Sequence, residues 1–441
     1  MLTRERTTTI ARLAFPVSIA LSSALVMSLV DLAMVRPLGS RATAAVGMAV
    51  FANTLILAFV MGMGPAVQGL VARRRGQGST EAKCLPVNAG MLAVVIVGSV
   101  LTVVTYFMAP AFVSFLSSDP GITKIAVPFL RVLYVAIIAA GMNSVFKGFW
   151  TGMERPNVYM KIVLFINVLN FFGDYVLITG RWGFPALGAT GAAVSTAFSI
   201  HVGFAINFFL AWRHHRPDGF LSARPDKALL ARIIKIGLPA SMQDFFLAAG
   251  ILAYYWIVGQ IGTAELAAMN VQLRIGLIFS FLAGAVGNAS ATLVSRSLGQ
   301  GDAEAASEWG WDSVKLAFVV ITALALPLVV FPRFFLSIFL SDPHTLEIAV
   351  APWQLSTSLN GALSLITIFA YTLVSVGDGS RVVLTMVGTQ WLIFLPAVWI
   401  VGPYLHYGLL QIVIVQVLYG ALAEVLVIGF WVQGRWKTVR I

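Results

Sequence analysis

Twelve stretches of this chain, each bounded by charges, Gly or Pro, are long and apolar enough to cross a membrane as helices. They cover residues 13–35, 45–70, 87–108, 124–148, 158–179, 187–211, 232–258, 265–295, 312–335, 347–376, 381–402 and 407–431. About 20 residues rising ~1.5 Å each match the hydrocarbon core of a bilayer. The strict alternation of a barrel strand is lacking. Only 11% of the residues are charged and 59% are hydrophobic, whereas about a quarter of a soluble chain is charged. The sequence therefore predicts an all-α polytopic membrane protein with twelve transmembrane helices. The first run lacks an A-x-A-like cleavage site and is followed by many similar runs, so it reads as a span and not as a removed signal. The single cysteine, Cys84, excludes an intramolecular disulfide and a thiolate cluster.

The placement of charge sets a topology. Of the 29 Lys and Arg, 22 lie in loops, helix ends and tails on the side of the N-terminus. The positive-inside bias puts that side, with both termini, in the cytoplasm. The net charge of +11 is then a topology signal, and no nucleic-acid partner is expected.

The chain also repeats itself. Phe15-Pro16 corresponds to Leu238-Pro239, Leu38-Gly39 to Ile261-Gly262, Gly76-Gln77-Gly78 to Gly299-Gln300-Gly301, and Asp119-Pro120 to Asp342-Pro343, all 223 residues apart. An even number of helices per repeat keeps both copies in one orientation, so two pseudo-symmetric six-helix bundles related by an axis along the membrane normal are expected. This divides the chain into an N-lobe at 1–212, a basic linker at 213–231 and a C-lobe at 232–441. Transporters built this way often place their sites near the membrane midplane.

The clear acids inside the spans are Asp31, Asp174, Asp244 and Glu424. A carboxylate at such a position costs about 2.5–3.5 kcal/mol on insertion scales, which makes each a functional candidate. Asp31 and Asp174 lie ~4 and ~5 residues from the outer ends of their helices, roughly 7 Å deep. Asn170 is one turn from Asp174 on the same face, and Thr196 reaches a similar depth. Depth alone lets two carboxylates, an amide oxygen and a hydroxyl converge. Hard oxygen ligands of this kind suit H⁺ or Na⁺ and give no reason to invoke a transition metal. Two nearby carboxylates out of water favour proton capture. Plain interhelical hydrogen bonding for Asn170 and Thr196, and solvation of an outer-end Asp, remain alternative readings.

Asp244 lies nearer mid-membrane, beside Gln243 and ahead of Phe245, Phe246, Tyr254, Tyr255 and Trp256. An acid among aromatic rings suits an organic cation. Gln243, Asp244, Tyr254 and Arg274 are the candidate substrate contacts, with Arg274 also a possible ion-pair partner for Asp244. Lys147 and Glu424, near helix ends, read as snorkelling or pairing. Pro16 favours a kink in the first helix, and Gly62, Gly64 and Pro65 loosen the second. No catalytic, metal-binding or phosphate-loop pattern is present.

These residues resemble the multidrug and toxic compound extrusion (MATE) transporters over nearly the whole chain. The marks are FP in helix 1 followed by VDLAMV and LG, GQG closing each second helix, GMERP after helix 4, NVLNFFGDYVL in helix 5 and PALGATGAAVST entering helix 6. The similarity looks closest to the prokaryotic DinF-like branch. It implies an antiporter that exports organic, cationic or amphipathic compounds by alternating access while H⁺, or as runner-up Na⁺, enters. It also implies that Asp31, Asn170, Asp174 and Thr196 form the coupling site and that Pro16 is a hinge. Other branches carry acids in helices 7 and 10. Here the matching helix 7 position is Leu247, and Asp378 lies at the end of helix 10, so a second-lobe Na⁺ site is not expected. The expectation is therefore a monomeric transporter in a bacterial or archaeal cytoplasmic membrane. Its partners would be small organic substrates and lipids, with no cofactor beyond the coupling ion. A lipid or lipid-linked oligosaccharide flippase is the alternative.

Overall fold

A computed structural model describes residues 3–78, 83–222 and 224–439. Its helices are α1 (Arg4–Val35), α2 (Ser40–Met61), α3 (Met63–Gly76), α4 (Leu85–Leu116), α5 (Pro120–Val135), α6 (Ile137–Gly152), α7 (Pro156–Thr179) and α8 (Ala189–His215). They continue with α9 (Lys227–Gly259), α10 (Thr263–Gly299), α11 (Ala303–Val330), the short α12 (Pro332–Ser337), α13 (Pro343–Ser375), α14 (Gly379–Thr389), α15 (Leu395–Trp399) and α16 (Leu409–Gln433). Two π-helical turns, Gln390–Phe394 and Ile400–Tyr404, flank α15. By length and hydropathy, 11 stretches among the described residues can cross a membrane, and the pair α5–α6, bent by 47°, raises this to 12. No strand occurs among the described residues.

The repeated motifs turn out to be helix punctuation. Asp119 and Asp342 are N-caps whose carboxylates accept from Gly121 N and Thr345 N, and each is followed by a Pro in the first turn, where its missing N–H costs nothing. Gly78 and Gly301 take positive φ just past the ends of α3 and α10, a conformation that favours glycine. The repeat register persists in the helices: α1 and α9, α2 and α10, and α5 and α13 begin at Arg4 and Lys227, Ser40 and Thr263, and Pro120 and Pro343.

The chain forms two compact units, one of residues Ile19–Phe245 and one joining the segment that ends at Ser18 to the chain from Phe246 onward. The divisions fall inside α1 and α9, and not in the stretch 213–231 as expected from its basic composition. Side-chain anchors explain this. In the second unit, Arg6 at the start of α1 pairs with Asp312 of α11 at 2.6 Å and lies over Trp309 at 4.7 Å. In the first unit, Ser241 of α9 accepts from Gly62 N at 3.2 Å and donates to Phe59 O at 3.0 Å, so it fills the break between α2 and α3. The stretch after α8 is itself docked on the first unit. Asn88 donates to Gly219 O at 2.9 Å and accepts from Leu221 N at 3.2 Å, and Phe220 is fully buried beside Phe146 and Phe208.

Small residues let the first unit pack closely. A Cβ on Gly148 of α6 would meet the Gly64 carbonyl of α3, and one on Gly152 would lie 2.7 Å from Gln68 O. Ser144, one turn before Gly148, donates to Met61 O at 2.8 Å. This is the close-approach seam that membrane bundles use when no hydrophobic drive separates protein from lipid.

Cys84 precedes α4 and is buried; burial, with the Asp218 charge nearby, pushes its thiol up to about 12. A thiol in that state holds almost no thiolate near neutrality. The folded protein should therefore resist maleimide at pH 7.5 and label stoichiometrically only after denaturation, as intact mass spectrometry would show.

Candidate cation site

Asp31 of α1 and Asp174 of α7 meet in the unit Ile19–Phe245. Ser23 of α1 accepts from Asn167 Nδ2 of α7 at 3.1 Å. Eight residues further along α1 and seven further along α7, the carboxyls of Asp31 and Asp174 come within hydrogen-bonding reach of each other. Spacings of eight and seven residues in the same chain direction mean that α1 and α7 run side by side in parallel along this stretch. Asp174 is fully buried and Asp31 half-buried. One oxygen on each, Asp31 Oδ1 and Asp174 Oδ2, is buried with no hydrogen-bond partner. Two ionised carboxylates are acceptors only, so their approach requires a proton or another cation between them.

Asn170 and the start of α8 complete the cluster. Asn170 Nδ2 donates to Asp174 Oδ1 at 3.2 Å, to Ser195 Oγ at 2.9 Å and, at the limit of contact, to Thr196 Oγ1 at 3.4 Å. The group turned toward the acid is thus the amide N–H and not the oxygen foreseen from sequence. Ser195, which depth counting missed, donates to Asn170 O at 2.9 Å and accepts from Asn170 Nδ2 at 2.9 Å. Its sequence signal is Gly173, where a Cβ would collide with the Ser195 hydroxyl. All four coupling candidates, Asp31, Asn170, Asp174 and Thr196, are therefore brought together.

The repeat copy of this place is filled with rings. Tyr254, which stands 223 residues after Asp31, is 2% exposed and donates to Gln416 Oε1 at 3.2 Å. Phe394 packs against it at 5.1 Å and stacks on Tyr419 at 4.8 Å. Tyr254 thereby sits in a hydrophobic core, away from the surface that a substrate contact would need.

The other substrate candidates divide between the units, Gln243 and Asp244 in Ile19–Phe245 and Arg274 in the second. Gln243 is half-buried, Asp244 exposed, and exposed Arg274 donates to Asn270 Oδ1 at 2.9 Å. The opposite charge that Asp244 senses is Lys147 of α6, in its own unit. Pro16 is buried within an unbroken α1, two residues before the division between units.

Fold and site together define a class: a repeated all-helical membrane bundle with a paired-carboxylate site in one copy. A family model, MatE, matches residues 16–176 and 239–400, starting at the two equivalent prolines. The chain belongs to the MatE family of multi-pass membrane transporters. It is 30% identical over 282 residues to a probable multidrug resistance protein NorM of Rhizobium meliloti, a match covering 63% of this chain and 60% of that one. The chain thus spans less than two thirds of that relative's length. A protein of the same description from Thermotoga maritima is 25% identical over 385 residues, covering 83% of this chain and 79% of that one. Among solved structures, a MATE in the straight conformation superposes with a TM-score of 0.84 at 19% identity, covering 98% of this chain and 97% of that one. A MOP superfamily transporter from Pyrococcus furiosus, described as having a binding pocket of reverse polarity, gives 0.83 at 19% identity, covering 98% and 96%. At that identity the likeness shows the fold.

Proposed function

We propose that this chain exports small organic compounds, cationic or amphipathic, in exchange for an inward-moving cation, with Asp31 and Asp174 as the coupling pair. The observation that carries the reading is the approach of two carboxyls with one orphaned oxygen each. Multidrug resistance names among the relatives agree with it. A proton is the first choice, because the Asn170 amide presents N–H to Asp174, which suits a carboxyl and does not ligate Na⁺. Coupling belongs to the first copy alone, since rings occupy its repeat equivalent.

The experiment is transport in proteoliposomes with ΔpH and Na⁺ gradients imposed separately. A proton gradient should drive movement of a cationic dye, and a Na⁺ gradient should not. Movement under Na⁺ alone would reassign the ion, and movement under neither would overturn the reading.

A further inference from the structure

The buried face of α8 is more polar than packing needs. From Ser199 onward its buried positions fall at every fourth residue, Ser199, Gly203, Asn207, Ala211 and His215, and Ser195 stands one turn before them. Residues four apart share a helix face, so one stripe leads from Ser195 in the coupling cluster to His215. At ~1.5 Å per residue it is ~30 Å long, the thickness of the hydrocarbon core, and it ends where the charge bias places the cytoplasm. No large aliphatic side chain lies on it. α16, the sixth helix of the second copy, buries Ala423, Val427 and Trp431 at the same spacing, with no hydroxyl, amide or imidazole among them. The polar stripe therefore accompanies the copy that holds the carboxyl pair.

α6 supplies further polar groups along it. A Cβ on Gly203 would lie 3.5 Å from Asn143 Nδ2, and Asn143 accepts from Asn207 Nδ2 at 3.1 Å. Trp150 links Asn207 to His215: its Nε1 donates to Asn207 Oδ1 at 2.8 Å, and its ring lies 5.6 Å from the imidazole. His215 Nδ1 bonds Asp218 Oδ2 at 2.8 Å, which assigns the neutral ring's proton to Nδ1 and makes Nε2 an acceptor. The other titratable groups at this end are Cys84, whose N–H donates to Asp218 O at 3.1 Å, and Lys83 beside it. α6 presents the rings of Phe149 and Trp150 to the imidazole. Interhelical glue would employ every polar group on such a face. Two escape it. Ser199 Oγ and His215 Nε2 are buried without a hydrogen-bond partner, in side chains 3% and 4% exposed. Each orphan costs about 1–3 kcal/mol, which stability alone does not repay.

We propose that this stripe is the route by which the coupling pair releases its proton to the cytoplasm, with His215 as the acceptor at its inner end. The inference rests on the proton-coupled reading above and adds the proton's exit. Successive positions stand ~6 Å apart along the axis, a gap that one water closes with two hydrogen bonds. His215 Nε2 takes up the proton and Nδ1 gives one to Asp218, whose half-buried carboxylate passes it to solvent. A flip of the ring restores the first tautomer, so one proton leaves the carboxyl pair and one reaches water.

The test measures proton-driven ethidium export in proteoliposomes and ethidium affinity in detergent. His215→Gln should bind ethidium as the wild type does but export it at least ~10-fold more slowly. A positioned proton acceptor contributes ~10²–10⁴-fold, of which water replaces part. Added imidazole, a diffusible acceptor, should restore the variant and leave the wild type unchanged, a rescue that a merely structural histidine would not show. Ser199→Ala removes an oxygen that holds no partner, so it should fold at least as well as the wild type. It should still slow export several-fold and raise the solvent deuterium isotope effect. Wild-type export by either variant, or a slow His215→Gln that imidazole does not restore, overturns the route and leaves the coupling pair standing. No proton-driven export by the wild type sinks the coupling reading, and this inference with it.

Discussion

Asp31→Asn is expected to abolish export while the protein remains folded in the membrane. The substitution keeps the shape of the side chain and removes a charge whose presence in a span costs about 2.5–3.5 kcal/mol, so insertion should be no worse than in the wild type. What it removes is the second carboxyl facing Asp174. A lone carboxyl that accepts from Asn170 can stay ionised without a neighbour that demands a shared proton. The gradient then has nothing to act on. Dye accumulation in cells should match that of cells lacking the protein, and proteoliposomes should show no proton-driven movement. Membrane yield and a monodisperse elution profile supply the folding control. Thr196→Ala should cost far less, a few-fold at most, because its hydroxyl accepts from Asn170 only at 3.4 Å. Normal export by Asp31→Asn would refute the coupling assignment.

Gly148→Leu is expected to have the largest effect on folding. Its Cβ would meet the backbone carbonyl of Gly64, and a backbone cannot turn aside as a long side chain can. α6 would have to withdraw from α3, which would also strain the Ser144 bond to Met61 O and the Gly152 approach to Gln68 O. Overpacking a flexible core costs about 1–3 kcal/mol, and a rigid seam should exceed that range. Fluorescence-detected elution and a thermal melt in detergent would measure it, with most of the protein aggregated or the midpoint lowered by many degrees. Gly429→Leu is the control, since nothing lies within 4 Å of its Cβ position. A similar profile for both variants would mean that the seam is not what holds α6.

Both predictions use residues visible in the sequence, but they were visible to different extents. Asp31 stands out alone, because a charge inside an apolar run is conspicuous whatever surrounds it. Asp174, Asn170 and Thr196 could be joined to it by depth. Gly148 in FKGFWTG resembles any membrane glycine until α3 is placed against it. Ser195 escaped for a related reason: depth counting cannot tell it from its neighbour Thr196, since only helix rotation decides which hydroxyl faces α7.

The same contrast runs through the molecule. By itself, the sequence determined the helical spans, the 223-residue repeat and the caps and stops that punctuate it, because hydropathy and capping act within a few residues along one chain. It also determined that Tyr254 stands where Asp31 has its counterpart. Tertiary structure alone decided that the compact units divide inside α1 and α9, where Arg6 and Ser241 grip other helices. It alone decided that Tyr254 is stacked into a core and that Asp244 answers to Lys147 while Arg274 bonds Asn270. These outcomes depend on the rotation of each helix about its axis and on how closely two backbones can approach. Both are set jointly by residues far apart in the chain, and no local pattern records them.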